Sequence, residues 1–149
     1  MAVCEGELLA VAENTIVSPA NSYGFLDGGI DRAYLSFFGA SIQDRVHAAV
    51  NRRPEGYLPI GASEIVETGH PRIPYLLLAP TMTGPEFVTA DNAYRAMRAV
   101  LRLAANHAAA GKCVYCPGLG TGVGGIDPAN AAEQMALAYS DWKASQTPT

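Results

Sequence analysis

The sequence predicts a layered α/β fold with a ligand cleft where two glycine-rich turns meet. Three observations predict it. Short apolar runs of β type alternate with longer stretches of helical periodicity. Two turns, one from Asn21 to Asp31 and one from Pro117 to Asp127, each follow a strand and precede a helix. Turns of that kind stand at the carboxyl edge of an open sheet, where α/β folds take their ligands.

The strands are read from apolar runs. Residues 15–20 enter Asn21, residues 63–68 form a second run, and residues 75–80 are continuous enough to predict a central strand buried on both faces. Residues 113–119 are the last clear strand, and residues 8–12 are a weaker candidate. The helices carry start and stop signals. Ser41 opens one with Ile42, Val46 and Ala49 on a single face. Thr89 is placed to cap another, in which Tyr94, Met97, Leu101, Ala104 and Ala108 recur at steps of three and four until Gly111 ends it. Asp127 and Pro128 form an N-cap and first-turn pair for a helix to about Lys143, with a frayed tail over residues 144–149.

Bulk composition narrows the function classes. A chain of 149 residues, 49% hydrophobic and 16% charged, suits one globular domain over residues 1–149. No apolar run approaches the roughly 20 residues that span a bilayer, and the N-terminus does not read as a signal peptide, so a cytoplasmic protein without membrane partners is expected. A net charge of −4 argues against nonspecific nucleic-acid binding. It leaves open an anion held by main-chain N–H groups, which requires no Lys or Arg. Cys113 and Cys116 have C-x-x-C spacing, but no second pair exists and residues three apart on a strand face opposite ways, so no metal is expected. His47, His70 and His107 show no ligand spacing. His47 and His107 fall in predicted helices, and His70, in a loop, is the one held in reserve as an acid or base.

The chemistry lies in the two turns. Gly118, Gly120, Gly122, Gly124 and Gly125 occupy five of eight consecutive positions, with Thr121 and Val123 between them. Such density lets N–H groups turn inward and a diphosphate approach without meeting Cβ atoms. Gly120, Gly122 and Gly125 satisfy G-x-G-x-x-G, yet no second strand with an acidic residue follows, and there is no Gly-Lys-Ser/Thr, so neither a dinucleotide fingerprint nor a P-loop is present. In the first turn Asn21 sits at a strand end, where its amide both donates to and accepts from a sugar hydroxyl. Gly28 and Gly29 permit close approach. Asp31 stands at the next helix start and is equally a cap or a catalytic carboxylate, while Asp27 is a turn residue or a second acid beside the cleft.

Together the two turns resemble the macro-domain family. Gly6-Glu7-Leu8 followed by Ile16-Val17-Ser18-Pro19-Ala20-Asn21 is similar to the family's first signature, with Asp31 ten residues beyond Asn21. Thr121-Gly122-Val123 is similar to its second, and Leu58-Pro59-Ile60-Gly61-Ala62 to its middle segment. The resemblance implies a three-layer α/β/α fold with a mixed central sheet, binding of ADP-ribose or an ADP-ribosylated macromolecule, and no cofactor. It implies that Glu7 accepts from the adenine amino group, Asn21 contacts the distal ribose, and Asp31 activates a water near C1″. Gly120, Thr121, Gly122, Val123 and Gly124 would cradle the diphosphate, and Leu8, Ala20, Gly28 and Gly29 complete the implied ligand-binding set. The reactions it implies are hydrolysis of an ADP-ribosyl or O-acetyl-ADP-ribose bond, or removal of a 1″-phosphate with Asp27 as the added carboxylate. Recognition of ADP-ribose without turnover is the alternative. Ser18 departs from the family's Asn and Asp27 from a glycine. Gly124 stands where many members carry an aromatic over the distal ribose, which implies a more open site; Tyr23 or Phe25 is placed to supply the ring that stacks on adenine, with core packing the alternative for Phe25. The final strand and helix of most relatives are expected to be missing after the Asp127 helix.

Overall fold

The computed structural model describes residues 1–84 and 86–146. In chain order the elements are α1 (Leu8–Val11), β1 (Thr15–Ser18), α2 (Gly29–Phe38), α3 (Ser41–Asn51), β2 (Glu64–Glu67), β3 (Tyr75–Leu78), α4 (Asp91–Asn106), β4 (Val114–Tyr115) and α5 (Pro128–Gln146). The four strands form one sheet in the order β2-β3-β1-β4. β1 is parallel to both β3 and β4, whereas β2 pairs antiparallel with β3. The sheet is therefore mixed, as expected. No helix among the described residues is long and apolar enough to cross a membrane.

Strand alternation builds the layers. Successive side chains on a strand point to opposite faces, and here neighbouring residues enter different cores. Ile16, Leu76 and Leu78 pack with Tyr34, Ile42, Val46, Ala49 and Val50 beneath α2 and α3. Val17, Leu77 and Ala79 pack on the other face with Ala93, Ala96, Met97 and Val100 of α4 and with Ala131 and Ala138 of α5. Leu76, Leu77 and Leu78 are all fully buried, so β3 is the doubly covered strand that its unbroken apolar run predicts. The result is a three-layer α/β/α fold.

Five expectations need correction. Residues 8–11 form a helical turn, not a strand: Leu8 and Leu9 both pack on the first core, and Glu7 O accepts from Ala10 N and Val11 N. The last strand is only Val114–Tyr115, because Pro117 has no N–H for a ladder and Gly118 begins the turn. α4 starts without a side-chain cap. The Thr89 contribution is its carbonyl, which accepts from Asn92 N at 3.0 Å. The same helix stops at Asn106, short of Gly111. The chain then turns so tightly that a Cβ on Gly111 would stand 1.9 Å from Ala104 O, which only glycine avoids. At the other end of the chain, α5 continues to Gln146, so residues 144–146 are helical, and residues 147–149 lie outside the described residues.

Candidate functional site

The register fixes where the loops emerge. Ser18 on β1 is level with Leu78 on β3, so the segments after β1, β3 and β4 all leave the same edge of the sheet. An isolated parallel bridge between Asn21 and Met82 carries the contact of β1 and β3 one step further. Over that edge lies a cavity of about 310 Å³, lined on one side by Asn21, Asp27, Gly28, Gly29 and Asp31, and on the other by Gly118, Gly120, Thr121, Gly122, Val123 and Gly124. The two turns meet: a Cβ on Gly28 would lie 3.2 Å from Val123 Cγ2, and one on Gly122 would lie 4.0 Å from Gly29 Cα.

The glycine loop is held at its ends and open in the middle. Gly125 N donates to Gly122 O, Ile126 N donates to Gly120 O, and Val88 N donates to Gly124 O. The N–H groups of residues 120–124 donate to no protein acceptor among the described residues. Gly120 and Gly124 are buried, and unpaired main-chain donors in buried residues are rare without a ligand or water. Five uncommitted donors in succession make a concave site for an anion.

Asn21 braces the facing turn. Its Oδ1 accepts from Tyr23 N at 3.0 Å and Phe25 N at 3.2 Å, while Nδ2 donates to Phe25 O at 2.9 Å. This is an Asx-type closure, which uses most of the carboxamide's capacity and leaves one N–H of Nδ2 for a ligand. Phe25 is half exposed and lines the cavity, with its ring edge-on to His47 at 4.9 Å, so it is not a core residue. Tyr23 packs against Tyr57 instead. From the β3–α4 connection comes an aromatic that no sequence pattern singles out: Phe87, 89% exposed, lies against Gly125.

Asp31 is not a helix cap. Gly28 holds the N-cap position of α2, and Asp31 sits inside the first turn, only 7% exposed. Ser18 Oγ donates to Asp31 Oδ1 at 2.5 Å, and both residues are buried. Burial pushes the Asp31 carboxyl up to about 7; the Ser18 hydroxyl opposes the rise and the charge of Asp27 adds to it. Ser18→Ala is therefore expected to move the Asp31 titration above about 7, followed by carboxyl-carbon NMR. A midpoint that stays in place or falls would mean that the hydroxyl does not favour the anion.

Some expected site residues stand apart. Glu7 is exposed at the start of α1, Leu8 packs on the first core, and Ala20 is buried under the turn; none of the three lines the cavity. His70 Nδ1 accepts from Arg72 N and Ile73 N, and its ring packs on Phe37 and Phe38, so it closes a turn and serves no acid or base at this cavity. His107 follows α4 at its C-cap, where Nδ1 accepts from Ala110 N. Cys113 is exposed, whereas burial raises the Cys116 thiol to about 12, and no cluster of three or more metal-ligating side chains occurs among the described residues. Thr81 and Met82 also line the cavity. The topological rule that marks the other two turns applies equally to the segment after β3.

A family model for the macro domain matches residues 17–135, a span that holds both turns and strands β2, β3 and β4 between them. The chain belongs to the macro-domain family. This macro domain is 34% identical over 134 residues to an uncharacterized protein of Aquifex aeolicus, covering 89% of the chain and 76% of that relative. Its fold is that of the Mycobacterium tuberculosis DarG macrodomain, with a TM-score of 0.78 at 20% identity over 93% of this chain and 89% of that one. It also superposes on a mutant Oceanobacillus iheyensis macrodomain with ADPR, with a TM-score of 0.74 at 20% identity over 85% and 69% of the two chains.

Proposed function

We propose that this macro domain binds ADP-ribose and hydrolyses a bond to C1″ of its distal ribose. The observation that carries the reading is the row of uncommitted N–H groups at residues 120–124, facing a buried carboxylate across one cavity. Amides grip a diphosphate by direction and partial charge alone, which suits a chain of net charge −4. The ADPR in the Oceanobacillus structure supports the same ligand here. In this assignment the diphosphate lies on Gly120, Thr121, Gly122, Val123 and Gly124, and the distal ribose lies between Asn21 and Asp31 against Gly28 and Gly29.

Asp31 acts as general base. A water attacks C1″, its proton passes to the Asp31 carboxylate, and the leaving group departs with the electrons of the broken bond. A base works best when its pKa lies near the working pH, and the Asp31 value of about 7 meets that requirement. Asp27, exposed at the cavity edge, adds negative field that sustains the raised value.

Calorimetric titration with ADP-ribose tests the binding half. Saturable binding with a Kd in the micromolar range is expected, with a melting temperature that rises as ligand is added because only the native state binds. Absence of binding at millimolar ADP-ribose would end the assignment.

A further inference from the structure

A second hollow, of about 570 Å³, opens between residues 59–62 and helix α4. Its helix wall carries Tyr94, Arg95, Arg98 and Arg102. The arginines recur at steps of three and four, which places them on one face of α4, while Ala93, Ala96, Met97 and Val100 bury the opposite face on the sheet.

Two of the guanidinium groups, those of Arg95 and Arg102, converge. The Cα atoms of Arg95 and Arg102 are about 10 Å apart along the helix at 1.5 Å per residue. Yet Arg95 Nη2 donates to Ile60 O at 3.1 Å and Arg102 Nη2 donates to Gly61 O at 2.6 Å. Those carbonyls belong to adjacent residues, so two positive groups are drawn to one short piece of chain. Each donation uses one N–H of five. The Gly61 backbone lies at φ +95°, and a Cβ there would stand 3.8 Å from Arg95 Nη2. Glycine keeps this floor free of a side chain.

Among the described residues, no carboxylate forms an ion pair with these arginines. Both ion pairs there belong to Arg53, which engages Glu55 and Glu64. Arg98 lies close to the Tyr94 hydroxyl, which itself donates to Asp141 at 2.7 Å, so the carboxylate on this side of the helix is already bridged by a tyrosine. Convergent like charges in a hollow repel one another unless an anion joins them. Two fork-shaped donors drawn to one place, with Arg98 bordering the same hollow, match the multiple oxygens of a phosphate.

We infer that the hollow between residues 59–62 and α4 is a second anion subsite, taking a phosphate-bearing group on Arg95, Arg98 and Arg102. It is separate from the glycine-loop cavity and does not depend on what that cavity binds. β2 begins level with the end of β3, so the two hollows share one edge of the sheet. The phosphate is either that of a free small molecule or that of a larger ligand seated in the first cavity.

The test reads the arginines directly, as side-chain Nε resonances of the whole chain titrated with inorganic pyrophosphate at fixed ionic strength. Arg95 and Arg102 are expected to shift saturably while Arg32 and Arg45 stay still. Arg98→Gln, which removes a cation that donates to no carbonyl of residues 59–62, is expected to weaken the response about tenfold without lowering the melting temperature. A parallel titration with ADP-ribose separates the sources: shifts that saturate with first-cavity binding assign the phosphate to the larger ligand, and silence there assigns it to a free one. Shifts no larger than those of Arg32, or equal shifts with added chloride, would overturn the subsite.

Discussion

Replacing Asp31 with asparagine is expected to make the protein more stable and less active at once. The stability half follows from burial. The folded state holds the Asp31 proton up to about 7, while the unfolded chain releases it near 3.8. Between those values the folded state binds more protons than the unfolded state, so stability falls as pH rises, and the loss is complete above about 7. At about 1.4 kcal/mol per pH unit the carboxylate costs roughly 4 kcal/mol at pH 8. A carboxamide in its place carries no charge, so Asp31→Asn removes the slope and raises the melting temperature above that of the natural protein at pH 8. Near pH 3.5 the two should differ little. Thermal unfolding followed across pH 3.5–8 measures this, and a variant that melts lower at pH 8 would refute the account of a buried, penalised carboxylate.

The activity half rests on the proposed base. Turnover of an ADP-ribosylated substrate should rise with pH through about 7 in the natural protein, as Asp31 loses its proton. In Asp31→Asn it should drop by roughly 10²- to 10⁴-fold, the usual contribution of a positioned base. ADP-ribose affinity should change little, because the diphosphate contacts are untouched. Unchanged turnover in the variant would remove Asp31 from the chemistry and leave recognition alone. The residue would then be a buried acid kept at a cost to stability without this catalytic purpose.

The second large effect is expected from a single methyl on the glycine loop. A Cβ at Gly124 would lie 2.8 Å from Gly120 O and 3.0 Å from Val88 Cγ2. The valine can turn aside, but the carbonyl is main chain and accepts from Ile126 N, so the loop itself must open. Gly124→Ala is expected to cost about 1–3 kcal/mol of stability, as overpacking does. By moving the N–H groups of residues 120–124 out of line it should weaken ADP-ribose binding by roughly 10- to 100-fold, the loss of one or two charge-assisted hydrogen bonds. Gly122→Ala is the contrast for folding: its nearest neighbour would be Gly29 Cα at 4.0 Å, and stability should stay within about 0.5 kcal/mol. Equal melting temperatures and equal affinities for Gly124→Ala and the natural protein would contradict the tight loop described above.

What could be read from the sequence was whatever a periodic pattern records. The run at residues 75–80 announces a doubly buried strand because Leu76, Leu77 and Leu78 feed both cores without interruption. The meeting of the two turns follows from topology, since each leaves a strand at its carboxyl end. Local competition is less legible. Residues 8–11 are apolar enough for a strand, yet they pair with no strand of the sheet, and a single helical turn satisfies Glu7 O instead. The end of α4 is set by a close crossing of Gly111 on Ala104, a contact between turns that no run of residue types records. Ser18 was visible as a departure from the family motif, but its bond to Asp31 spans 13 positions and emerges only when β1 and α2 are side by side. Asn21 was legible as a site residue, whereas its stapling of the turn depends on φ and ψ values that composition does not fix.

That staple bears on how quickly the cleft can fill. Because Asn21 already fastens the chain around Tyr23 and Phe25, the mouth is shaped before any guest arrives. Little freedom remains for a guest to freeze out on entry, so association need not wait for a rearrangement of the rim.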